Sequence, residues 1–258
     1  MVKVVGCGPT IRGFDSRHSP LFLFIFCLFF MGKYIGPKFK IIRRLGTLIG
    51  FLPRYKKTKL WTAGEHGKKQ YFFTPRPSLT SDYKEKFLEK QKLRFNYGIT
   101  EKQLFFYYKY AKKLKGSTEF NLFRLLEARL DSIVFRLGFA PTILAARQYI
   151  NHKHICVNYQ KVNIPSFLCK KNDIITIASK SSIKNLIYKN LNTIKIQADL
   201  LTEKYKTTNY IKTHPFLYRP THLGFIEKRC LGYIKKKISR KELKLNVNFL
   251  KIIEFYSR

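Results

Sequence analysis

Apolar residues return at three- and four-residue steps through Leu122, Leu126, Leu130, Ile133 and Leu137, which gathers them on one face of a helix, and Gly138 ends the run. Thr142 can cap a second helix, in which Ile143, Ala146 and Ile150 form the buried line and Arg147, Gln148 and Asn151 lie beside it on a polar stripe. Asn151, His152, Lys153 and His154 bring donors to the end of that helix, after which Ile155, Val157 and Val162 alternate around a turn at Asn158 to Lys161. The pattern predicts two helices and a hairpin sharing one basic edge. Upstream, residues 83 to 115 are helical by composition, with a break at Asn96-Tyr97-Gly98. Gly98 stops the first helix there, and Thr100 caps the second with Gln103 three residues on. Leu104, Phe105 and Tyr108 are expected in the core, and Lys109, Lys112, Lys113 and Lys115 on the outer side, as is Arg94 on the preceding helix.

The ends of the chain are less regular. Residues 1 to 30 run from Lys3, Arg12 and Arg17 into an apolar stretch, Leu21 to Phe30, that is too short to span a bilayer as a helix of about 20 residues. It is similar to a signal-peptide core, but no small-residue cleavage pattern follows, and Met31 stands before a segment with the character of a natural start. From Lys33 to Lys59 there are nine basic residues, among them Lys38, Lys40, Arg43, Arg44, Arg54, Lys56 and Lys57, and no acid. Gly36, Pro37, Gly46, Gly50 and Pro53 interrupt the run, so an extended arm is expected rather than a helix, with a loop over 62 to 82. Residues 180 to 240 carry no nameable site, and Lys235-Lys236-Lys237 are expected to face water, with contact to a polyanion as the alternative. Leu250 to Tyr256 fits strand and helix equally.

Charge changes this picture most. The 258 residues hold 51 Lys and Arg against 15 Asp and Glu, a formal +36, which calls for a polyanionic partner. Phosphate backbone is favoured, because Lys and Arg release its condensed counterions, with an anionic membrane surface as the competitor; RNA contact is expected from Lys38, Lys40, Arg43, Arg44, Arg54, Lys56 and Lys57 of the arm and from Arg94, Lys112 and Lys113 of the helices. Heavy use of Phe (23) and Tyr (16) points to AT-rich codons and a small organelle genome. Five scattered cysteines form no CxxC pair, which leaves neither a four-Cys zinc site nor a disulfide framework. His152 and His154, two apart, do not share a helix face and make poor metal ligands.

The segments EARLDSIVFRLGFA, ARQYINHKHICVN and NIPSFLCKKNDIITI resemble the RNA-binding module of the small-subunit ribosomal protein S-four family. MGKYIGPKFKIIRRLG resembles its plastid-type start, EKQKLRFNYGITEKQL its middle and LKLNVNFLKIIEFYSR its C-terminal signature, so the likeness covers 31 to 258 with a weak patch near 180 to 240. The resemblance implies binding to the five-prime domain of small-subunit ribosomal RNA, nucleation of its assembly, and a place at the messenger entry side beside proteins S-three and S-five. It also implies a fold in which a helical domain is interrupted by the module and the chain end returns to the first part. Arg129, Arg147, Gln148, His152, Lys153, His154 and Asn158 match the module's polar edge, to which Asn151 and Lys161 belong by position. Two positions depart from the pattern. Tyr159 stands where the hairpin turn often has Gly, which argues against a tight turn with positive φ, and Ala145 lacks the carboxylate of a capping box after Thr142.

Arg129-Leu130-Asp131 also resembles the run that carries the catalytic Asp of pseudouridine synthases, some of which bear the same module. Here it falls inside an amphipathic helix, Asp131 is expected to cap or pair locally, and fewer than about ninety residues follow the module, too few for a separate catalytic domain. The expectation is therefore an α+β chain: an extension over 1–30, a basic arm and loop over 31–82, a helical domain over 83–125, the RNA-binding module over 126–190, and a segment over 191–258 that packs back on the body. It is expected to be a structural constituent of a plastid small ribosomal subunit, or else of a mitochondrial one, with no catalytic residue, cofactor, metal or stable membrane association. An RNA-modification enzyme and a non-ribosomal RNA binder using the same module are the alternatives. Removing the Arg147 charge is expected to weaken RNA binding and flatten its salt dependence.

Overall fold

The computed structural model describes residues 34–46, 48, 50–51, 59, 61–67, 82–179, 181–205, 220–226, 230–239 and 247–257. The apolar stretch at 21 to 30, the start at Met31, and Arg54, Lys56 and Lys57 lie outside them. Gly32–Arg258 forms one compact unit. Among the described residues it holds eight helices and five strands: α1 Lys38–Leu45, α2 Asp82–Tyr97, α3 Glu101–Lys113, α4 Thr118–Glu127, α5 Leu130–Leu137, α6 Ile143–Asn151, β1 Ile155–Val157, β2 Gln160–Lys161, β3 Ile174–Ile177, α7 Lys184–Tyr205, β4 Leu223–Ile226, β5 Leu231–Ile234 and α8 Phe249–Tyr256. No helix among the described residues is long and apolar enough to cross a membrane.

Local signals set several boundaries as expected. Thr100 and Gln103 form a reciprocal capping box at α3, Thr142 Oγ1 accepts from the Ala145 amide at 3.1 Å, and Gly138 closes α5 with φ 88°. Asn121 Nδ2 reaches the carbonyls of Ala111, Leu114 and Lys115, satisfying the end of α3 from the next helix. Leu104 and Tyr108 are buried, whereas Phe105 lies at the surface and packs its ring 5.6 Å from that of Tyr256.

Besides Phe105, expected in the core, three expectations are corrected. The stretch expected to be an extended arm contains α1: Pro37 and Gly46 bracket Lys38–Leu45 rather than interrupt it, and Ile42 and Leu45 pack with Leu48 and Phe51 against Leu88, Phe95 and Leu144. The single helix expected through Leu122 to Leu137 is two helices. At Arg129 the backbone turns extended, because residues 165 to 169 run alongside: the amides of Leu130 and Asp131 donate to Phe167 and Pro165, and that of Cys169 to Ala128. The division expected at residue 190 falls inside α7, and β4 and β5 complete the module's sheet, in the order β2-β1-β3-β5-β4 with every pairing antiparallel.

Leu137 of α5 meets this sheet at Gly232, where a Cβ would lie 2.4 Å from its side chain, so the strand needs glycine for the helix to approach. The chain end returns to the first helices as α8, capped by Asn248, whose own amide donates to Glu89 of α2 at 2.9 Å. Lys86 pairs with Glu254 at 2.8 Å, Tyr256 donates to Glu101 at 2.6 Å, and the Lys90 ammonium sits 4.2 Å over Phe255.

Gly50 fixes where the N-terminal segment docks. Its amide donates to Asn96 Oδ1 at 2.9 Å and its carbonyl accepts from Ile143 at the start of α6, while a Cβ would meet the Asn96 carbonyl at 2.3 Å. Gly50→Ala is therefore expected to cost about 1–3 kcal/mol by overpacking, read as a lower thermal midpoint; an unchanged midpoint would mean the segment is not held there.

Candidate nucleic-acid interface

The inner face of α6 is fixed by buried charge. Asp131, fully buried, accepts from Arg129 Nε at 3.0 Å and Nη2 at 2.7 Å, from Arg147 Nε at 2.9 Å, and from the Ser132 amide at 2.8 Å. Arg129 also donates to the Tyr107 hydroxyl at 2.6 Å, and Arg147 to the carbonyls of Tyr97, at 3.0 Å, and Gly98. One carboxylate thus ties α5 and α6 to α3 and to the end of α2. Burial opposes the charge on Asp131, but the two guanidinium groups outweigh it and hold the carboxyl below its ordinary range. Burial and the neighbouring Arg129 pull Arg147 below its ordinary value, while Asp131 and Tyr107 raise Arg129 against its own burial. A second buried pair lies nearby: Glu127 accepts from Arg136 at 2.7 Å and from the Tyr97 hydroxyl at 2.5 Å.

This placement corrects two of the expected RNA contacts. Arg129 is 1 % exposed and Arg147 8 %, and both spend their donors on protein, so neither offers a guanidinium to a phosphate. Their spacing could have shown it. Arg147 stands four residues after Ile143 and three before Ile150, on the buried line of α6, and the Arg-Leu-Asp run supplies the matching carboxylate.

The outer edge is different. Gln148, one turn before the end of α6, and Asn151, His152 and Lys153 at that end are exposed, with His152 at the cap and Lys153 turned into the left-handed region, φ 59°. His154 is half-buried, with Nδ1 3.1 Å from Ser181 Oγ and its ring 6.0 Å from that of His152. Among the described residues no three His, Cys, Asp or Glu side chains are grouped to hold a metal.

Asn158 and Lys161 are exposed on the hairpin that follows. The tight turn argued against at Tyr159 does form, with φ 49° at Asn158 and 66° at Tyr159. It is held from outside the hairpin: the Asn158 side chain accepts from the Ile174 amide at 2.9 Å and donates to Asp173 at 3.0 Å, and its own amide donates to the Ile174 carbonyl.

Away from the module, Lys38, Lys40 and Arg44 of α1 are exposed, but half-buried Arg43 donates to the carbonyls of Trp61 and Thr62, each at 2.8 Å, and so braces the loop after the arm. Lys112 and Lys113 are exposed in the last turn of α3, where they also complement the helix dipole. Arg94 is half-buried and stacked over Phe95 at 4.4 Å.

Sequence reasoning singled out Lys236 and Lys237 but missed that Lys170 and Lys171 join them in one basic group. Lys170, Lys171, Lys236 and Lys237 rim a cleft of about 350 Å³ floored by Glu127 and His222, and all four are exposed. The paired quartets Leu223-Gly-Phe-Ile and Leu231-Gly-Tyr-Ile were the available signal, since they mark the hairpin that carries two of these lysines to the module.

Comparison with known proteins adds matches of two kinds. A family model for the ribosomal protein S4/S9 N-terminal domain matches residues 33–127, and a model for the S4 domain matches 128–175. A small ribosomal subunit protein uS4c from Oltmannsiellopsis viridis is 42% identical over 228 residues, covering 88% of this chain and all of that one. Its counterparts from Trieres chinensis and Euglena longa are 45% and 44% identical, over 88% of this chain and 100% and 99% of theirs.

Proposed function

Because this chain belongs to the ribosomal protein S4 family, and its relatives are small ribosomal subunit proteins uS4c, we propose that it is a structural, non-enzymatic constituent of a plastid small ribosomal subunit and binds small-subunit ribosomal RNA directly. The observation that carries RNA binding is the division of α6 into two faces. Arg147, inside, locks the helix in place, and Gln148, Asn151, His152 and Lys153, outside, form an unbroken polar edge on a chain of formal charge +36. Such an edge reads RNA shape and backbone, while lysines elsewhere supply sequence-independent attraction.

Within that reading the RNA is the five-prime domain, which the protein helps to nucleate during assembly, and its neighbours are proteins S-three and S-five at the messenger entry side, where it contributes to accuracy. The contact set is Lys38, Lys40, Arg44, Lys112, Lys113, Gln148, Asn151, His152, Lys153, His154, Asn158 and Lys161, joined by Lys170 and Lys171.

The test is direct. The full chain should bind a five-prime-domain transcript of plastid small-subunit ribosomal RNA more tightly than an unrelated folded RNA, with log affinity falling linearly against log salt. Equal binding to both RNAs would remove the assignment to that domain, and absence of binding would remove the RNA reading.

A further inference from the structure

Tyr159 is the most exposed aromatic ring among the described residues, at 75 %. It sits at the apex of the β1–β2 hairpin in the left-handed region, a conformation that disfavours every side chain and that two-residue hairpin turns usually give to glycine. Two costs meet at one residue: a backbone that resists a side chain, and an apolar ring left in water. Neither helps the fold. The turn is secured without the ring, by the hydrogen bonds of Asn158 to β3.

The topology places charge around this apex. β3 begins beside it, so the tight turn carrying Lys170 and Lys171 lies at the same end of the sheet. β5 runs antiparallel to β3 and ends there too, with the Asn172 amide donating to the Ile234 carbonyl at 3.0 Å, which brings Lys235, Lys236 and Lys237 to that end. All five lysines are exposed. Two acids lie near these lysines: Asp173 is half-buried and occupied by Asn158 Nδ2 and by the Lys170 amide at 2.7 Å, and Glu127 is buried and paired with Arg136. An exposed ring on a rigid mount, beside a group of cations, complements a nucleotide whose base is unstacked and whose flanking phosphates need neutralising.

We propose that Tyr159 stacks on an unpaired base of the bound ribosomal RNA, with Lys170, Lys171 and Lys235 to Lys237 holding the phosphates on either side. The proposal rests on the RNA-binding reading above and adds a base contact to the lysines already placed at this end of β1, opposite Lys153.

The experiment compares the full chain with Tyr159→Gly and Tyr159→Phe on the five-prime-domain transcript. Glycine relaxes the backbone, so Tyr159→Gly should fold with an unlowered thermal midpoint yet bind about tenfold or more weakly, the usual loss for one base stack. Its salt slope should match the parent, since no charge is removed. Tyr159→Phe should bind like the parent. Parental affinity in Tyr159→Gly, or a tenfold loss in Tyr159→Phe as well, overturns the stack while leaving RNA binding intact. Failure of the parent chain to bind overturns both.

Discussion

Replacing Asp131 with Asn is expected to produce the largest loss of stability of any single substitution in this chain. The carboxylate compensates two guanidinium groups at once, both in the interior, and each of its oxygens accepts from more than one donor. Removing one partner of a buried ion pair leaves the other charge without compensation and costs about 3–5 kcal/mol, more than the pair itself contributes over an apolar replacement. For a chain of this size that corresponds to a fall in thermal midpoint on the order of 10 °C. The damage should spread beyond the residue, because Arg129 and Arg147 carry the contacts to Tyr107, Tyr97 and Gly98 that join α5 and α6 to the preceding helices. A midpoint within about 2 °C of the parent would mean that the cluster does not hold these elements together.

What could be foreseen here was local. The caps at Thr100 and Thr142 and the stop at Gly138 depend on residues within four positions of one another, and they stand where the pattern put them. Misjudged features depend on distant partners. The break at Arg129 exists because residues 165 to 169 claim the amides of Leu130 and Asp131, which no helical periodicity can anticipate. The turn at Tyr159 survives positive φ because Asn158 is anchored to β3, fifteen and sixteen residues on. Arg129 and Arg147 looked like surface cations because arginine usually is one; Asp131 stands two residues from Arg129, but only the packing of α5 against α6 brings the same carboxylate to Arg147. The ambiguity at Leu250 to Tyr256 resolves to a helix because Asn248 accepts from the Leu250 and Lys251 amides and α2 supplies the facing rings.

The second large effect separates the buried face of α6 from the exposed edge that runs from its end to the β1–β2 hairpin. A chain carrying Gln148→Ala, His152→Ala, Lys153→Gln and Lys161→Gln changes only exposed side chains, so its thermal midpoint should stay close to the parent's. Its affinity for the five-prime-domain transcript should nonetheless fall roughly a hundredfold, as two phosphate contacts and two neutral polar contacts are lost together. Arg147→Gln should behave in the opposite way. It removes a charge that faces Asp131 and backbone carbonyls rather than RNA, so it lowers stability, and its folded fraction keeps the parental salt dependence. This reverses the expectation drawn from the sequence, where Arg147 was to weaken binding and flatten the salt slope.

The central claim, that the exposed edge running from the end of α6 to the β1–β2 hairpin meets RNA while the buried arginine of α6 only holds the edge in place, is tested most directly by one salt titration of affinity. Measured for the parent, the four-residue edge variant and Arg147→Gln at a temperature where all three are folded, the logarithmic slope should shrink by about 2 in the edge variant and stay parental in Arg147→Gln. A parental slope in the edge variant, with a reduced slope in Arg147→Gln, would contradict it.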